Sequence, residues 1–297
     1  MPEVSVVIVN YNGGAMVADT VNSVVQTTDR EFCEIIVVDN HSSDGSAENI
    51  RTVFGGQVRI VNMPDNMGFA AANNAGCSIA KGRYILFLNP DTVVLGNAIQ
   101  TLADYLSTHP DTGACGGNLF DKDMNPQFSY WTLLPGVKME WHSLWSFFWL
   151  KKKHNGSHEH NFTGSPQEVA YIMGADMMVR KELIDRLGGM DEDFFLFYEE
   201  TELCRRISRA GYRIVSVPDA HIIHMEGQTI DRMNIRRKYM MRSRDIYLRK
   251  CCPPFERHTA NAILFISSML RTVWFALACN KEKKEFWKYT MTHITNP

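Results

Sequence analysis

A short apolar run, Val4-Ser5-Val6-Val7-Ile8-Val9, stops at the turn residues Asn10-Tyr11-Asn12-Gly13-Gly14. The run predicts a buried strand because it is β-branched and because glycine and asparagine follow it directly. Apolar residues then recur at helical spacing from Met16 to Val25, and a second apolar run, Glu34 to Val38, stops at Asp39. Together these residues predict one β-α-β unit.

The same alternation of strands and helices continues along the next part of the chain. Strands are predicted at Val58 to Asn62 and Tyr84 to Leu88, with a helix after each. This order predicts an α/β fold in which a mostly parallel sheet carries helices on both faces. Because ligands bind outside the carboxyl ends of such strands, three polar segments are expected on one edge: residues 10–12, Asp39, and Asn89-Pro90-Asp91.

Composition limits the classes of protein to which the chain can belong. Its 297 residues are 45% hydrophobic and 22% charged, which predicts a globular protein. The net charge of -2 excludes the strong basic field typical of nucleic-acid binding. Seven scattered cysteines without a C-x-x-C pair, and an N-terminal segment without a basic signal region, predict a cytoplasmic location.

The regular pattern is lost in the middle of the chain. Residues 112–167 are predicted to form a long irregular insertion on the acceptor side of a main domain, residues 1–230. A strand is predicted at Arg213 to Val217, with His221 and His224 after it. Residues 231–297 are basic and helical in pattern, and they predict a C-terminal extension.

Two aspartates follow predicted strands, and each has a structural and a functional interpretation. Asp39 is either a turn former in the segment DNHSSDG or the acceptor for the imide N–H of uracil or thymine, with Tyr11 as a stacking face. Asp91 belongs either to an Asn-Pro turn or to a metal site, since Mg²⁺ takes one or two carboxylates and completes its shell with phosphate and water.

Three glutamates begin a predicted helix near residue 199. Glu199 and Glu200 straddle its apolar side, whereas Glu202 is expected to point into solvent and to pair with Arg206 at i+4. The two inward acids either stabilise the helix N-terminus or include a general base. His224 could join a mixed metal site or contact phosphate, although zinc would need more ligands.

Six segments in order across about residues 3–250 resemble the inverting family 2 glycosyltransferases with a GT-A fold, and especially the bacterial rhamnosyltransferase-like branch. They are VSVVIVNYNGG, EIIVVDNHSSDGS, NMGFAAANNAG, YILFLNPDT, MGADMMVRKELIDRLGGMDEDFFLFYEETELCRR and HIIHMEGQT. The resemblance implies a Rossmann-like, mostly parallel sheet. It also implies these roles: Tyr11 and Asp39 hold the base, Asn66 and Asn74 lie near the nucleotide, Asp91 is the final acid of D-x-D, Glu200 is the catalytic base, and His224 joins the metal or diphosphate.

Two residues depart from the family pattern. Asn89 replaces the first acid of D-x-D, so we expect Mg²⁺ or Mn²⁺ to bind weakly alone and well only with the donor diphosphate. Glu200 stands where the family usually has aspartate, which lengthens the base by one methylene. Asn89 is also the best support for an alternative, a nucleotide-sugar-binding or assembly protein without catalysis.

The expected activity is transfer of a sugar, with inversion, from a nucleoside-diphosphate donor. The resemblance favours dTDP-rhamnose first and a UDP-sugar second, and an acceptor that is lipid-linked or a polysaccharide of bacterial surface glycan synthesis. A sugar nucleotidyltransferase is the enzymatic alternative. It normally has a basic, glycine-rich loop after the first strand, and VNYNGGAMV contains no basic residue.

The C-terminal extension is a candidate for contact with a membrane. Residues 260–279 are mostly apolar with a single charge, Arg271, and basic segments flank them, which favours an amphipathic helix on the inner face of the membrane. Packing against the catalytic domain or against a second copy in a homodimer is the alternative. Tryptophans also recur at i, i+4 and i+8 before three lysines: Trp141, Trp145, Trp149 and residues 151–153. On a helix they would form either a second membrane contact or part of a hydrophobic core.

Overall fold

A computed structural model describes residues 1–149, 159–225 and 233–295. The chain forms two compact units, the first comprising residues 1–132 and 156–233 and the second residues 133–155 and 234–297. The predicted boundary at 230/231 and the lysines at 151–153 lie outside the described residues.

The strands are short and mostly buried, and the helices connect them. The strands are β1 (Val4–Asn10), β2 (Cys33–Asp39), β3 (Val58–Asn62), β4 (Tyr84–Leu88), β5 (Thr92–Val94), β6 (Thr112–Phe120), β7 (Tyr130–Trp131), β8 (Gln167–Glu168), β9 (Tyr171–Ile172), β10 (Asp176–Arg180) and β11 (Arg213–His224). The helices are α1 (Met16–Thr27), α2 (Ser46–Phe54), α3 (Phe69–Ile79), α4 (Ala98–Thr108), α5 (Val137–Trp149), α6 (Lys181–Leu187), α7 (Glu199–Arg209), α8 (Met233–Cys251), α9 (Pro254–Leu277) and α10 (Lys281–Thr295).

The N-terminal half of the main sheet is parallel, as the sequence predicts. Strands β3, β2, β1 and β4 lie side by side in that order. Asn10 pairs in register with Asp39, and Ile8 pairs with Leu88. The segments that follow these three strands therefore leave the sheet at one edge, which confirms the predicted grouping.

The second half of the sheet curls around the Asn89–Asp91 turn. The strand order continues from β4 through β10, β6 and β11 to β5. Only residues 89–91 separate the end of β4 from the start of β5 along the chain, yet three strands lie between them in the sheet. The sheet must bend back on itself to join these two strands, and the bend encloses the turn.

The prediction of an irregular insertion at 112–167 is wrong for the first nine of these residues, which form β6 in the interior of the sheet. Its sequence, TGACGGNLF, contains three glycines and so gives a weak strand signal. Close packing explains two of them: a Cβ at Gly113 would lie 2.5 Å from Ile207 Cγ2, and one at Gly117 would lie 2.3 Å from the Ala220 carbonyl oxygen. A side chain that strengthened the strand pattern would collide with the neighbouring elements.

Strand β11 is longer than the predicted strand, which ends at Val217. It continues past Pro218 to His224, so that both His221 and His224 lie within the strand rather than after it. A register shift against β6 falls between Ser216 and His221. This irregularity accommodates a proline that cannot donate to the ladder, which explains why the sequence pattern breaks there.

The second unit is helical, as predicted for the C-terminal extension, and it also contains α5. Helix α9 contacts both α5 and α10. Arg244 donates to Glu140 Oε1 at 2.8 Å in a buried ion pair. Arg271 donates to the Ser143 carbonyl oxygen at 2.5 Å and lies over the Trp287 ring. The guanidinium in the middle of α9 is therefore held within this unit, although its Nε has no hydrogen-bond partner among the described residues.

Candidate active site

The ends of β1 and β2 are joined by a buried polar network. The Asn10 side-chain amide donates to Asp39 Oδ1 at 2.9 Å and to Ser46 Oγ at 2.8 Å. Asp39 Oδ2 accepts the Ser42 backbone N–H at 3.3 Å, and the Asp39 side chain is almost fully buried. The turn-forming role of Asp39 is thus realised, and its contact with a nucleotide base stays a prediction.

Tyr11 lies beside this network on an open loop, with 44% of its surface exposed. The next residue, Asn12, has a left-handed φ of 52°, and its side-chain oxygen accepts the Ser43 backbone N–H at 2.8 Å. The loop after β1 is therefore tied to the loop after β2. The stacking of a nucleotide base on Tyr11 stays a prediction.

Asn66 extends the network to the loop before α3. Its Oδ1 accepts hydrogen bonds from the Asn40 amide at 2.9 Å and from the Gly68 backbone at 3.1 Å. Gly68 has a φ of 89°, and a Cβ there would lie 2.6 Å from the Phe195 carbonyl oxygen. That carbonyl accepts the Phe69 N–H at 2.7 Å. Asn66 thus lies between the Asp39 edge and the loop that leads to α7.

Asn74 makes a second contact with the same loop. Its amide donates to the Met190 carbonyl oxygen at 2.8 Å and to Glu192 Oε1 at 2.9 Å, and its oxygen accepts the Met190 N–H at 2.8 Å. The structure therefore places Asn74 against the loop before α7, a positioning contact that sequence reasoning missed. Its predicted proximity to the nucleotide stays a prediction.

Asp91 and His224 lie together, as their predicted shared role requires. His224 Nε2 is 3.4 Å from Asp91 Oδ1 and 3.3 Å from the Asn89 side-chain amide nitrogen, and both Asp91 and His224 are buried. The orientation of an asparagine amide is assigned from its surroundings. With the Asn89 amide turned over, its oxygen would face the same point as the carboxylate and imidazole.

These donors fit a divalent cation that is completed by a ligand. A carboxylate oxygen, an amide oxygen and an imidazole nitrogen suit Mn²⁺, and the oxygens suit Mg²⁺. Among the described residues, no group of three or more His, Cys, Asp or Glu side chains could hold a metal. The Asp91 carboxylate, the Asn89 amide and the His224 imidazole therefore fit an ion that receives further oxygen ligands from a bound molecule or water.

The start of α7 brings two carboxyl groups into the interior. Glu199 and Glu200 are both buried, and Phe197 and Tyr198 before them have left-handed φ values of 69° and 72°. Such backbone geometry is uncommon in non-glycine residues and is often retained at functional sites. Thr201 Oγ1 donates to Glu200 Oε1 at 3.1 Å, whereas Glu199 Oε2 is buried without a hydrogen-bond partner among the described residues.

Burial governs the ionisation of this pair. It raises the pKa of Glu199 well above the ordinary value, and the neighbouring Glu200 carboxylate raises it further. Burial also raises the pKa of Glu200, an effect that hydrogen bonds from the backbone and Thr201 partly offset. A carboxylate with a raised pKa is a stronger proton acceptor once ionised, which suits a general base.

Glu202 forms the predicted pair with Arg206 but not in the predicted environment. Arg206 Nε donates to Glu202 Oε2 at 2.7 Å, and Glu202 is buried rather than solvated. The Arg206 guanidinium also donates to the carbonyl oxygens of Leu187 and Gly189 at 2.7 Å. The pair therefore fixes the end of α6 against α7, which explains its burial.

Asp176 is a buried acid that sequence reasoning did not select. It has no exposed surface, and its Oδ2 accepts the Gly117 N–H at 2.6 Å. Burial raises its pKa to about 7, while the nearby His224 opposes the rise. An aspartate at the start of the apolar run Met177-Met178-Val179 is the signal that could have identified it.

Comparison with solved structures identifies the fold as the GT-A fold. A structure of GalNAc-T7 with UDP, GalNAc and Mn²⁺ is similar with a TM-score of 0.57 and 20% identity, over 75% of this chain and 44% of that chain. The mannosyltransferase PcManGT from Pyrobaculum calidifontis, in complex with GDP-Man and Mn²⁺, is similar with a TM-score of 0.59 and 17% identity, over 99% and 85% of the two chains. At these identities the likeness shows the fold.

The chain belongs to glycosyl transferase family 2, because the sequence model of that family matches residues 5–188, more than half of the chain. It is therefore a transferase. An N-acetylglucosaminyl-diphospho-decaprenol L-rhamnosyltransferase of Mycobacterium tuberculosis is 24% identical over 76% of this chain and 77% of the relative. A dTDP-rhamnosyl transferase, RfbF, of Shigella flexneri is 25% identical over 95% and 90%.

Proposed function

We propose that this glycosyltransferase moves rhamnose from dTDP-rhamnose, with inversion, to a lipid-linked or polysaccharide acceptor of bacterial surface glycan synthesis. The names of the Mycobacterium and Shigella relatives support this donor. A UDP-sugar is the second candidate, since a similar structure contains UDP. The observation that favours an active enzyme over an inactive binding protein is the position of Glu200, which is buried at the start of α7 directly after two residues with left-handed backbone geometry.

In the proposed reaction, Glu200 accepts the proton of the acceptor hydroxyl as that oxygen forms its bond to the anomeric carbon of the donor. The bond from the anomeric carbon to the diphosphate breaks in the same displacement, and the nucleoside diphosphate leaves. Asp91, His224 and the Asn89 amide oxygen would hold Mn²⁺ or Mg²⁺, which neutralises charge on the leaving diphosphate. Tyr11 and Asp39 would hold the pyrimidine base, with Asn66 beside them.

A panel of nucleotide sugars tests the donor directly. We expect the purified protein with Mn²⁺ to release dTDP from dTDP-rhamnose faster than it releases nucleoside diphosphate from UDP- or GDP-linked sugars. Release of pyrophosphate from dTTP and a sugar phosphate would instead identify a nucleotidyltransferase. Binding of dTDP-rhamnose without turnover, in the presence of candidate acceptors, would favour a binding or assembly protein.

Helix α9 supports the further proposal that the enzyme is peripheral on the inner face of the membrane. It is long and apolar enough to span a bilayer, with a mean hydropathy of 1.5, and only 22% of its most apolar window is buried. A core helix of a soluble protein can meet the same length criterion, but such a helix is mostly buried. The exposed side chains of α9 are mainly apolar: Ile266, Met269, Val273, Trp274 and Leu277.

In the second half of α9 the polar residues Ser267, Ser268 and Arg271 lie on the less exposed side, the reverse of the usual arrangement in water, whereas Glu256 and His258 near its N-terminus are exposed. Ser267 and Ser268 are buried, and Arg271 is bound to Ser143. Helix α10, which follows directly, has two exposed lysines in its first turn, Lys281 and Lys283. An apolar face next to cationic groups is typical of helices that lie on anionic lipid.

Vesicle co-sedimentation tests this proposal. We expect the protein to bind vesicles containing phosphatidylglycerol and to lose much of that binding in a Val273→Glu, Leu277→Glu variant. Glutamate at two exposed sites four residues apart on α2, in an Asn49→Glu, Val53→Glu variant, is a matched control for added charge and should leave binding nearly unchanged. Protein that stays in the supernatant at low salt would contradict membrane contact. A concentration-dependent dimer that the α9 variant dissociates would show instead that α9 binds a second copy of the chain.

A further inference from the structure

Asp176 holds an ionisable group at a fully buried position of the sheet. Its Oδ2 accepts one hydrogen bond, from Gly117, whereas its Oδ1 is buried without a hydrogen-bond partner among the described residues. A buried carboxyl group with an unsatisfied oxygen destabilises a fold unless something compensates it. The methionines that follow it on β10 show that apolar side chains are accommodated on this strand.

The register of the sheet places Asp176 next to the predicted cation site. It pairs with Leu88, the residue directly before Asn89, and the Asn89 N–H donates to the carbonyl oxygen of Ala175 at 3.0 Å. Strand β11 curls around the same turn and ends at His224, opposite the start of β5. Asp176 and His224 therefore lie on strands that both border the Asn89–Asp91 turn.

The neighbouring residue explains why a charge is useful at this position. Asn89 is neutral where the D-x-D pattern has its first acid, so Asp91 is the remaining carboxylate of that turn. A divalent cation bound there would be attracted by one carboxylate, whereas a site with two acids would attract it with two. Resting on the function proposed above, we propose that Asp176 supplies the negative charge that Asn89 lacks and stabilises the cation held by Asp91, His224 and the donor diphosphate.

Asp176 would act across space or through a bridging water, and not as one of the direct ligands. This follows because no three His, Cys, Asp or Glu side chains of the described chain are close enough together to chelate an ion. The enclosed position strengthens such an interaction, since a buried charge is screened less than one in water. Asp176 is therefore assigned as a positioning and electrostatic residue, distinct from the residues that touch the donor.

The variant Asp176→Asn removes the charge and keeps the size of the side chain and an acceptor for Gly117. We expect the gain in dTDP affinity that Mn²⁺ produces, measured by calorimetry, to fall about tenfold or more, the range found when residues that support a metal site are replaced. Affinity for dTDP in EDTA should stay the same or rise, because a negative charge near the diphosphate is gone. The melting temperature without ligands should also stay the same or rise, because a buried charge is gone.

A relocated charge separates this role from a role in packing. The double variant Asn89→Asp, Asp176→Asn has the carboxylate back at the D-x-D position and should regain the Mn²⁺-dependent affinity that Asp176→Asn loses. Several results would overturn the inference: unchanged Mn²⁺ dependence in Asp176→Asn, equal loss of dTDP affinity with and without Mn²⁺, failure of this variant to fold, or no recovery in the double variant. UDP replaces dTDP as the probe if the donor panel identifies a UDP-sugar.

The variant Asp91→Asn, measured in parallel, shows which proposal has failed. If Asp91→Asn loses Mn²⁺-dependent binding and Asp176→Asn does not, the charge assigned to Asp176 is wrong and the cation site stands. If the wild-type protein binds dTDP equally with and without Mn²⁺, the cation site itself is wrong. In that case the inference about Asp176 fails with it, whereas donor turnover still tests the transferase.

Discussion

The two sides of the candidate site differ in how their polar groups are satisfied. At the ends of β1 and β2, the side chains of Asn10, Asp39 and Asn40 bond to one another or to neighbouring loops in a closed network. Around α7 and β10, by contrast, Glu199 and Asp176 each retain a buried oxygen without a hydrogen-bond partner in the described chain. The first side is satisfied without a ligand, and the second side keeps buried carboxyl oxygens without hydrogen-bond partners.

This difference indicates a division of work between the two sides. A satisfied network holds loops in place and presents a preformed surface, which lowers the cost of ordering on binding. Buried, unsatisfied carboxyl groups are costly in the free protein and gain their partners only when a proton or a cation arrives. We therefore expect replacements on the second side to affect turnover or metal use, and replacements on the first side to affect stability and nucleotide binding.

The largest expected effect is that of Glu200→Gln. It should lower the turnover number by about 100-fold or more, because loss of a general base typically costs that much. Nucleotide affinity, measured by calorimetry, should remain near that of the wild type. Glu199→Gln is the matched variant on the same helix turn, and a larger loss there than in Glu200→Gln would transfer the role of base to Glu199.

Asp91→Asn should have the next largest effect, which depends on the metal. The Mn²⁺ concentration needed for half-maximal turnover should rise about tenfold or more, as is found when groups at a metal site are removed. The matched control is Asp121→Asn, because Asp121 lies on an exposed hairpin and bonds to Asn125. Full turnover in EDTA, in either the wild type or the variant, would contradict the assignment of Asp91.

Asn40→Ala tests the satisfied side. Asn40 is buried, donates to Asn66 and accepts the Met67 N–H at 3.0 Å, so truncation leaves buried groups unpaired. The free energy of unfolding should fall by about 1–3 kcal/mol. Urea denaturation measures this change, with the nearby surface variant Ser43→Ala as the control. A stability equal to that of the wild type would show that the network does not hold the loops.

The smallest expected effect is on the pH dependence of stability. The pKa of Glu199 is raised in the folded protein, so the folded state keeps a proton that the unfolded chain releases above its ordinary value of 4.5. Stability should therefore fall as the pH rises from about 4.5 toward the raised pKa. Glu199→Gln cannot ionise and should show a shallower decline between pH 5 and pH 8. The same slope in variant and wild type would mean that Glu199 is ionised in both states.

The regular half of the fold could be predicted from sequence, whereas the curled half could not. Strands such as β1 and β4 are continuous apolar runs that end in turn residues, and that pattern is enough to place them. Strand β6 escapes the pattern because its glycines allow close contact with Ile207 and Ala220, which are distant in sequence. Strand β11 escapes it because Pro218 interrupts the strand without ending it.

The candidate site divides in a similar way. Asp91 and His224 were assigned together from the resemblance to the family, and the structure brings them within 3.4 Å of each other. Asp176 was missed because its importance comes from burial and from pairing with Leu88, neither of which is visible in the local sequence. Asn74 was assigned to the nucleotide, yet its hydrogen bonds to Met190 depend on a loop 116 residues away.

The anomeric configuration of the sugar product tests the proposed mechanism most directly. With water as the acceptor, proton NMR during turnover of dTDP-rhamnose reports the configuration of the released sugar before its anomers equilibrate. With a saccharide acceptor, it reports the configuration of the new glycosidic bond. One displacement assisted by Glu200 predicts a product with the configuration opposite to that of the donor. A first product with the same configuration as the donor would contradict a single displacement and the role assigned to Glu200.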